Sequence, residues 1–165
     1  MQNIDRETRL VFEHAGLALY HAQVFEEGLG WFIQAWALAQ EDISTEEQRI
    51  ILEEALRAKT LGGLMKATRA RLSFGPEVDA ALNQALADRN YLAHHFFKDD
   101  SLAWVLGHKR DEMLAKLDQY RRHFRMAGRA IQAHARATYR QLGYSEEKAV
   151  AILLEEILRK AQPDI

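Results

Sequence analysis

Apolar residues recur along this chain at steps of three and four, the spacing that lines one face of an α-helix, and nowhere alternate as a half-buried strand would. The pattern predicts six helices. The first, from about Asp5 to Gln40, places Leu10, His14, Leu17, His21, Val24, Phe25, Gly28, Phe32 and Ala35 on one stripe, with Gly28 small enough to let another helix approach closely. Ser44 and Glu47 have the spacing of a capping box that would open a second helix running to about Lys59. Gly62 and Gly63 are expected to interrupt the chain ahead of a short third helix, Leu64 to Leu72. Pro76 suits the first position of a fourth helix reaching about Lys98, with Glu77 and Asp79 at the positive end of its dipole. The fifth, from about Leu102 to Leu142, carries a seam of Met113, Leu117, Tyr120, Phe124, Ala127, Ile131, His134 and Thr138 in alternating steps of four and three. That spacing belongs to a helix packed lengthwise in a bundle. Gly143 can end it, and Ser145 can cap a sixth helix whose core face is Val150, Leu153, Leu154, Ile157, Leu158 and Ala161.

At 165 residues, with 48% hydrophobic and 28% charged residues and only two prolines, the chain is long and apolar enough to bury one core, which excludes disorder as its main state. No repeat or linker divides it, so residues 1–165 are read as a single all-α domain, an up-and-down bundle of five to six helices. No apolar run approaches the ~18 residues of a membrane span. Asp5, Arg6, Glu7 and Arg9 stand where a signal peptide would be apolar, so a cytoplasmic protein is expected, without membrane partners. The absence of cysteine fits that compartment and excludes disulfides, thiolate metal sites and cysteine nucleophiles.

The net charge of −2 conceals an uneven distribution. Residues 1–60 hold 11 acids against 5 bases, whereas residues 101–142 hold 3 acids against 9 bases. The stretch from Lys109 to Arg140 is thus the candidate surface for a polyanion. Within it Arg122, Arg125, Arg129, Arg136 and Arg140 lie on a helix face away from Phe124. Such a stripe would guide an RNA backbone, or else form a solvated face or meet the acidic first third of another subunit.

The fourth helix contains Arg89-Asn90-Tyr91-Leu92-Ala93-His94-His95-Phe96-Phe97. Arg9 with His14 and Arg129 with His134 repeat the spacing of Arg89 with His94, yet only Arg89 is followed by a polar residue. The segment Arg89 to His94, RNYLAH, resembles the RNxxxH motif of the HEPN family of all-helical proteins, many of them ribonucleases. The resemblance implies a HEPN-like bundle forming a homodimer, with two motifs meeting across the interface. It also implies metal-independent cleavage of RNA by attack of the ribose 2′-hydroxyl on the adjacent phosphate, needing no cofactor, in a toxin or defence protein. An antitoxin or nucleotidyltransferase partner belongs to the same expectation. One departure bears on it: some HEPN toxins carry a tyrosine two residues past the histidine, where a nucleotidyltransferase modifies it, and this chain has Phe96.

In that reading His94 takes the 2′-hydroxyl proton or supplies one to the leaving 5′-oxygen, since an imidazole exchanges protons near neutral pH. Arg89 presents a planar, permanently charged fork to the phosphate, and Asn90 orients His94 or bonds a phosphate oxygen. His95 is an adjacent imidazole able to substitute or to bind RNA. At about 100° per residue, Val78, Leu82, Ala85, Ala93 and Phe96 fall within roughly 40° of Arg89, which places the arginine at the centre of the apolar stripe. There it needs an acid such as Glu13 or an anion, because an unpaired buried charge costs about 3–5 kcal/mol. His94 lies about 140° around the helix from Arg89, so a two-fold dimer would be needed to bring both to one cleft.

Metal chemistry lacks a pattern. None of the residues three before the seven histidines is an acid, which discounts a Glu-x-x-His di-iron site, and His14 and His21 read as helix-contact histidines. Trp31, Trp36 and Trp104 are expected in the core or an interface. The reading from a different class is a non-catalytic bundle binding a protein or nucleotide partner, a regulatory adapter in which Arg89 is structural or holds the ligand.

Overall fold

The computed structural model describes residues 5–39, 45–99 and 109–141, together with 143, 145, 147–148 and 151. Among these residues the chain is an all-α helical bundle, as the periodicity predicts. Its helices are α1 (Arg6–Ala39), α2 (Glu46–Arg57), α3 (Leu61–Arg69), α4 (Pro76–His94), α5 (Phe96–Asp99) and α6 (Arg110–Gln141). No helix of the described residues is long and apolar enough to cross a membrane. Two compact units are distinguished, Met1–Glu26 with Gly75–Arg129, and Glu27–Phe74 with Ala130–Ile165.

The first unit is built from the beginnings of α1 and α6 with α4 and α5. Its contacts set an up-and-down order. Phe97 meets Phe12 near the start of α1, with ring centroids 5.5 Å apart, whereas Arg89 meets Glu26 further along α1, so α4 runs antiparallel to α1. Tyr91 faces Tyr120 while Asp88 faces His123, so α4 is antiparallel to α6 as well. Arg110 at the start of α6 pairs with Glu7 at 2.6 Å and Asp5 at 3.1 Å, holding α6 parallel to α1. Val11, Ala15, Ala18, Ala22 and Phe25 fill the space between these helices with Leu82, Ala85, Leu92, Phe96, Met113, Leu117, Tyr120, Phe124 and Ala127.

In the second unit the buried apolar residues are Leu29, Phe32, Ile33, Ala37, Leu56, Leu61, Leu64, Met65, Leu72, Ile131 and Ala135. Arg71 lies over Trp36 at 5.6 Å, and Phe74 packs on His134 at 4.9 Å.

Several boundaries differ from expectation, each for a local reason. Phe25 and Phe32 of the expected α1 stripe are buried, but Leu10, Leu17 and Val24 are exposed and Val11, Ala15, Ala18 and Ala22 are buried in their place, although hydropathy alone favours the stripe with the leucines. Gly28 meets no neighbour where a Cβ would stand. The capping box is shifted by one residue from Ser44/Glu47: the Thr45 hydroxyl accepts from the Gln48 N–H, and the Gln48 side chain accepts from the Thr45 N–H, both at 3.2 Å. Thr60 caps α3, so Gly62 and Gly63 lie inside its first turn instead of interrupting the chain. Pro76 takes the first position of α4 as expected, but the helix ends at His94 instead of Lys98, where His95 leaves helical geometry. Lys109 adopts a left-handed backbone, φ 64°, that a continuous helix does not allow, and α6 starts at Arg110 instead of Leu102.

The seam of α6 is buried from Met113 through Ile131, and then Ala135 replaces His134 as the inward residue. Gly143 has the positive φ of a C-terminal cap, 78°, and its N–H bonds the Arg140 carbonyl. The Ser145 hydroxyl accepts from the Lys148 N–H at 3.2 Å. The rest of the expected sixth helix, the side chain of Thr138, and Trp104 lie outside the described residues.

Two substitutions check this packing in urea unfolding. Thr45→Ala removes the cap of α2 and is expected to cost about 1 kcal/mol. Phe124→Ala empties a site that is 1% exposed, with an expected cost of about 3–5 kcal/mol.

Candidate functional site

Pro76, with no N–H to leave unpaired, starts α4, and Glu77 and Asp79 complement its first turn. The helix then turns Leu82, Ala85, Asp88 and Leu92 inward. This face is rotated from the expected one. Ala93 is exposed, and Arg89 lies at the edge of the packed stripe with its side chain 29% exposed, instead of at the centre. Its partner is Glu26, at 3.7 Å, not Glu13. At that distance, with both groups partly in water, such a pair contributes about 1 kcal/mol or less.

Asn90 and His94 are one turn apart and both exposed. Arg89 therefore faces α1 while the other two motif residues face outward, so one chain does not assemble the three. His95 is exposed, stacks on Tyr91 with centroids 5.9 Å apart, and lies 3.9 Å from Asp99. Lys116 reaches across from α6 to Tyr91, its ammonium 4.4 Å from the ring centroid and 3.4 Å from the hydroxyl.

Sequence reasoning missed the polar pair beneath the motif. Asp88, the residue before Arg89, is buried, and both its oxygens are engaged. Oδ1 accepts from Gln84 Nε2 at 2.8 Å, and Oδ2 lies 2.5 Å from Nδ1 of His123 on α6. An ionised carboxylate only accepts, so Nδ1 carries the proton and Nε2 is the free ring nitrogen. Only Gln84 and Asp88, four apart on one helix, left a trace in the pattern. His123 is 35 residues away, and nothing local links it to Asp88.

Arg122, Arg125, Arg129 and Arg136 are exposed along α6, as is Arg140. Arg122 pairs with Asp118 one turn earlier. His14 and His21 are half-buried on α1, and Nδ1 of His14 is buried without a hydrogen-bond partner. Among the described residues no group of three or more histidines and acids is placed to hold a metal ion. Comparison with protein-family models, with curated proteins and with solved structures finds no match.

Burial first, and then the Arg121 and Arg125 guanidinium groups, hold the His21 pKa below the ordinary histidine value of 6.5. The unfolded chain therefore protonates this imidazole at higher pH than the folded one. The resulting stability is present above 6.5 and is lost as pH falls through the lower folded value. The urea midpoint is expected to drop as the solution is taken from neutral to mildly acidic pH, and His21→Gln to flatten that drop. An unchanged slope in the variant would remove His21 as the cause.

Proposed function

We propose that the chain is a metal-independent endoribonuclease of HEPN type, acting as a homodimer in which Arg89 binds the scissile phosphate and His94 transfers a proton, with Asn90 in support. The observation that supports this reading is the accessibility of the motif. Asn90 and His94 are exposed, and among the described residues the acid paired with Arg89 is Glu26 at 3.7 Å, an acceptor that a phosphate can displace. The 2′-oxygen attacks phosphorus, the bond to the 5′-oxygen breaks, and one proton leaves the 2′-hydroxyl as another reaches the departing oxygen. Arg89 neutralises the charge that grows on the phosphate. The exposed arginines of α6 add salt-dependent attraction for the RNA backbone.

Purified protein is expected to cleave single-stranded RNA in EDTA, leaving cyclic phosphate and 5′-hydroxyl ends. Arg89→Ala and His94→Ala should each lower the rate by about 10²-fold or more. Glu26→Gln, which frees the guanidinium, should leave cleavage at the wild-type rate or above it. Cleavage undiminished in both motif variants would refute the assignment.

The Arg89–Glu26 pair also favours a second reading, a non-catalytic adapter in which Arg89 ties α4 to α1. That protein would cut no RNA, and Glu26→Gln and Arg89→Ala would lower its unfolding midpoint alike.

A further inference from the structure

The cleavage reaction needs two proton transfers, and the motif supplies one exposed imidazole per chain, His94. We propose that His123 is the second: with Nδ1 held by Asp88, its Nε2 is the general base that removes the 2′-hydroxyl proton from RNA bound along α6. This rests on the ribonuclease reading and assigns His94 the acid's part in it.

Three observations converge on His123. The first is its support. Asp88 is a carboxylate 5% exposed that spends one oxygen on the His123 ring and the other on Gln84, which fixes the ring's tautomer and direction. An imidazole so held, with its remaining nitrogen a lone-pair acceptor, has the form a general base requires. The second is access. The His123 side chain is 25% exposed, neither sealed in the core nor swinging freely in water. The third is its surroundings. Lys116, Gln119 and His123 are spaced i, i+3 and i+7, one flank of α6. A hollow of about 480 Å³ lies along the same helix just before His123, lined by Lys109, Lys116, Gln119 and Arg122 among others and not by His123 itself, with Glu112 the one acid among its described lining residues. The volume falls in the range that takes a small ligand, and the cations select an anionic one such as a nucleotide.

The step balances. His123 Nε2 takes the proton of the 2′-hydroxyl, the 2′-oxygen forms its bond to phosphorus, and the bond from phosphorus to the 5′-oxygen breaks. The His94 imidazolium gives that oxygen its proton. The products are a 2′,3′-cyclic phosphate and a 5′-hydroxyl, and water then restores both histidines by proton exchange.

Two substrates separate the roles: a single-stranded RNA, and the 4-nitrophenyl ester of uridine 3′-phosphate, whose departing phenolate needs no proton. His123→Gln is expected to lose about 10²-fold or more on both substrates, whereas His94→Ala loses on RNA and recovers on the aryl ester. Asp88→Asn, a change in a positioning residue, should lower kcat with KM little moved, and Lys116→Ala should raise KM. Loss of His123 leaves one oxygen of a buried carboxylate unmet, so the double variant Asp88→Asn/His123→Gln, a neutral pair, serves as the folded control and should be as inactive as the single one. Wild-type rates in a folded His123→Gln or in the double variant, alongside an inactive His94→Ala, overturn the proposal and leave the ribonuclease reading standing. A wild-type protein inactive on both substrates overturns the reading and the proposal together.

Discussion

The rotation of α4 about its own axis decides what this protein presents to its surroundings, and Asp88 sets that rotation. A carboxylate facing the core is tolerated only where its charge is met, because an uncompensated buried charge costs several kcal/mol. Gln84 meets one oxygen from the same helix, and His123 meets the other from α6. Any turn of α4 that centred Arg89 on the packed face would break the contact with His123. With Asp88 so placed, Leu82, Ala85 and Leu92 pack inward, Tyr91 faces Lys116, Arg89 falls beside Glu26, and Asn90 and His94 point outward.

That arrangement separates the motif chemically. Arg89 and His94 occupy different sides of one helix, so catalysis by this pair needs a second copy of the chain to complete it. Asp88 and His123, by contrast, come together within a single chain from two helices that the buried seam of α6 holds in register. On the proposed ribonuclease reading, a dimer would supply the cation and the acid, while the fold of each protomer would supply an oriented base.

Charge follows a similar division. The short ion pairs of Arg110 with Asp5 and Glu7 join the beginnings of α1 and α6, and so use part of the acidic first third inside the fold. The arginines further along α6 are left on the surface. The near-neutral total thus conceals a cationic helix face, and the exposed stripe Leu10, Leu17 and Val24 of α1 is apolar where hydropathy alone would have buried it.

Much of the fold was legible in the chain itself. Periodicity of 3.6 residues, Pro76 at the start of α4, Gly143 at the end of α6 and the seam from Met113 to Ile131 are local features, set by backbone geometry and nearest neighbours. The RNYLAH segment, likewise, is visible as a string of residues. The buried face of α1 was legible only in part: Phe25 and Phe32 are inside as expected, but Ala15, Ala18 and Ala22 take inward positions in place of Leu10, Leu17 and Val24 through the closeness alanines permit between helices, a property of the partners and not of the chain around them. The pairing of Asp88 with His123 was not legible, since a hydrogen bond across 35 residues leaves no periodic trace. Sequence determined the helices and named the motif; tertiary packing decided how α4 is turned, and with it which of the motif's side chains meet water, because only a second helix meets the oxygen of the buried carboxylate that Gln84 leaves over.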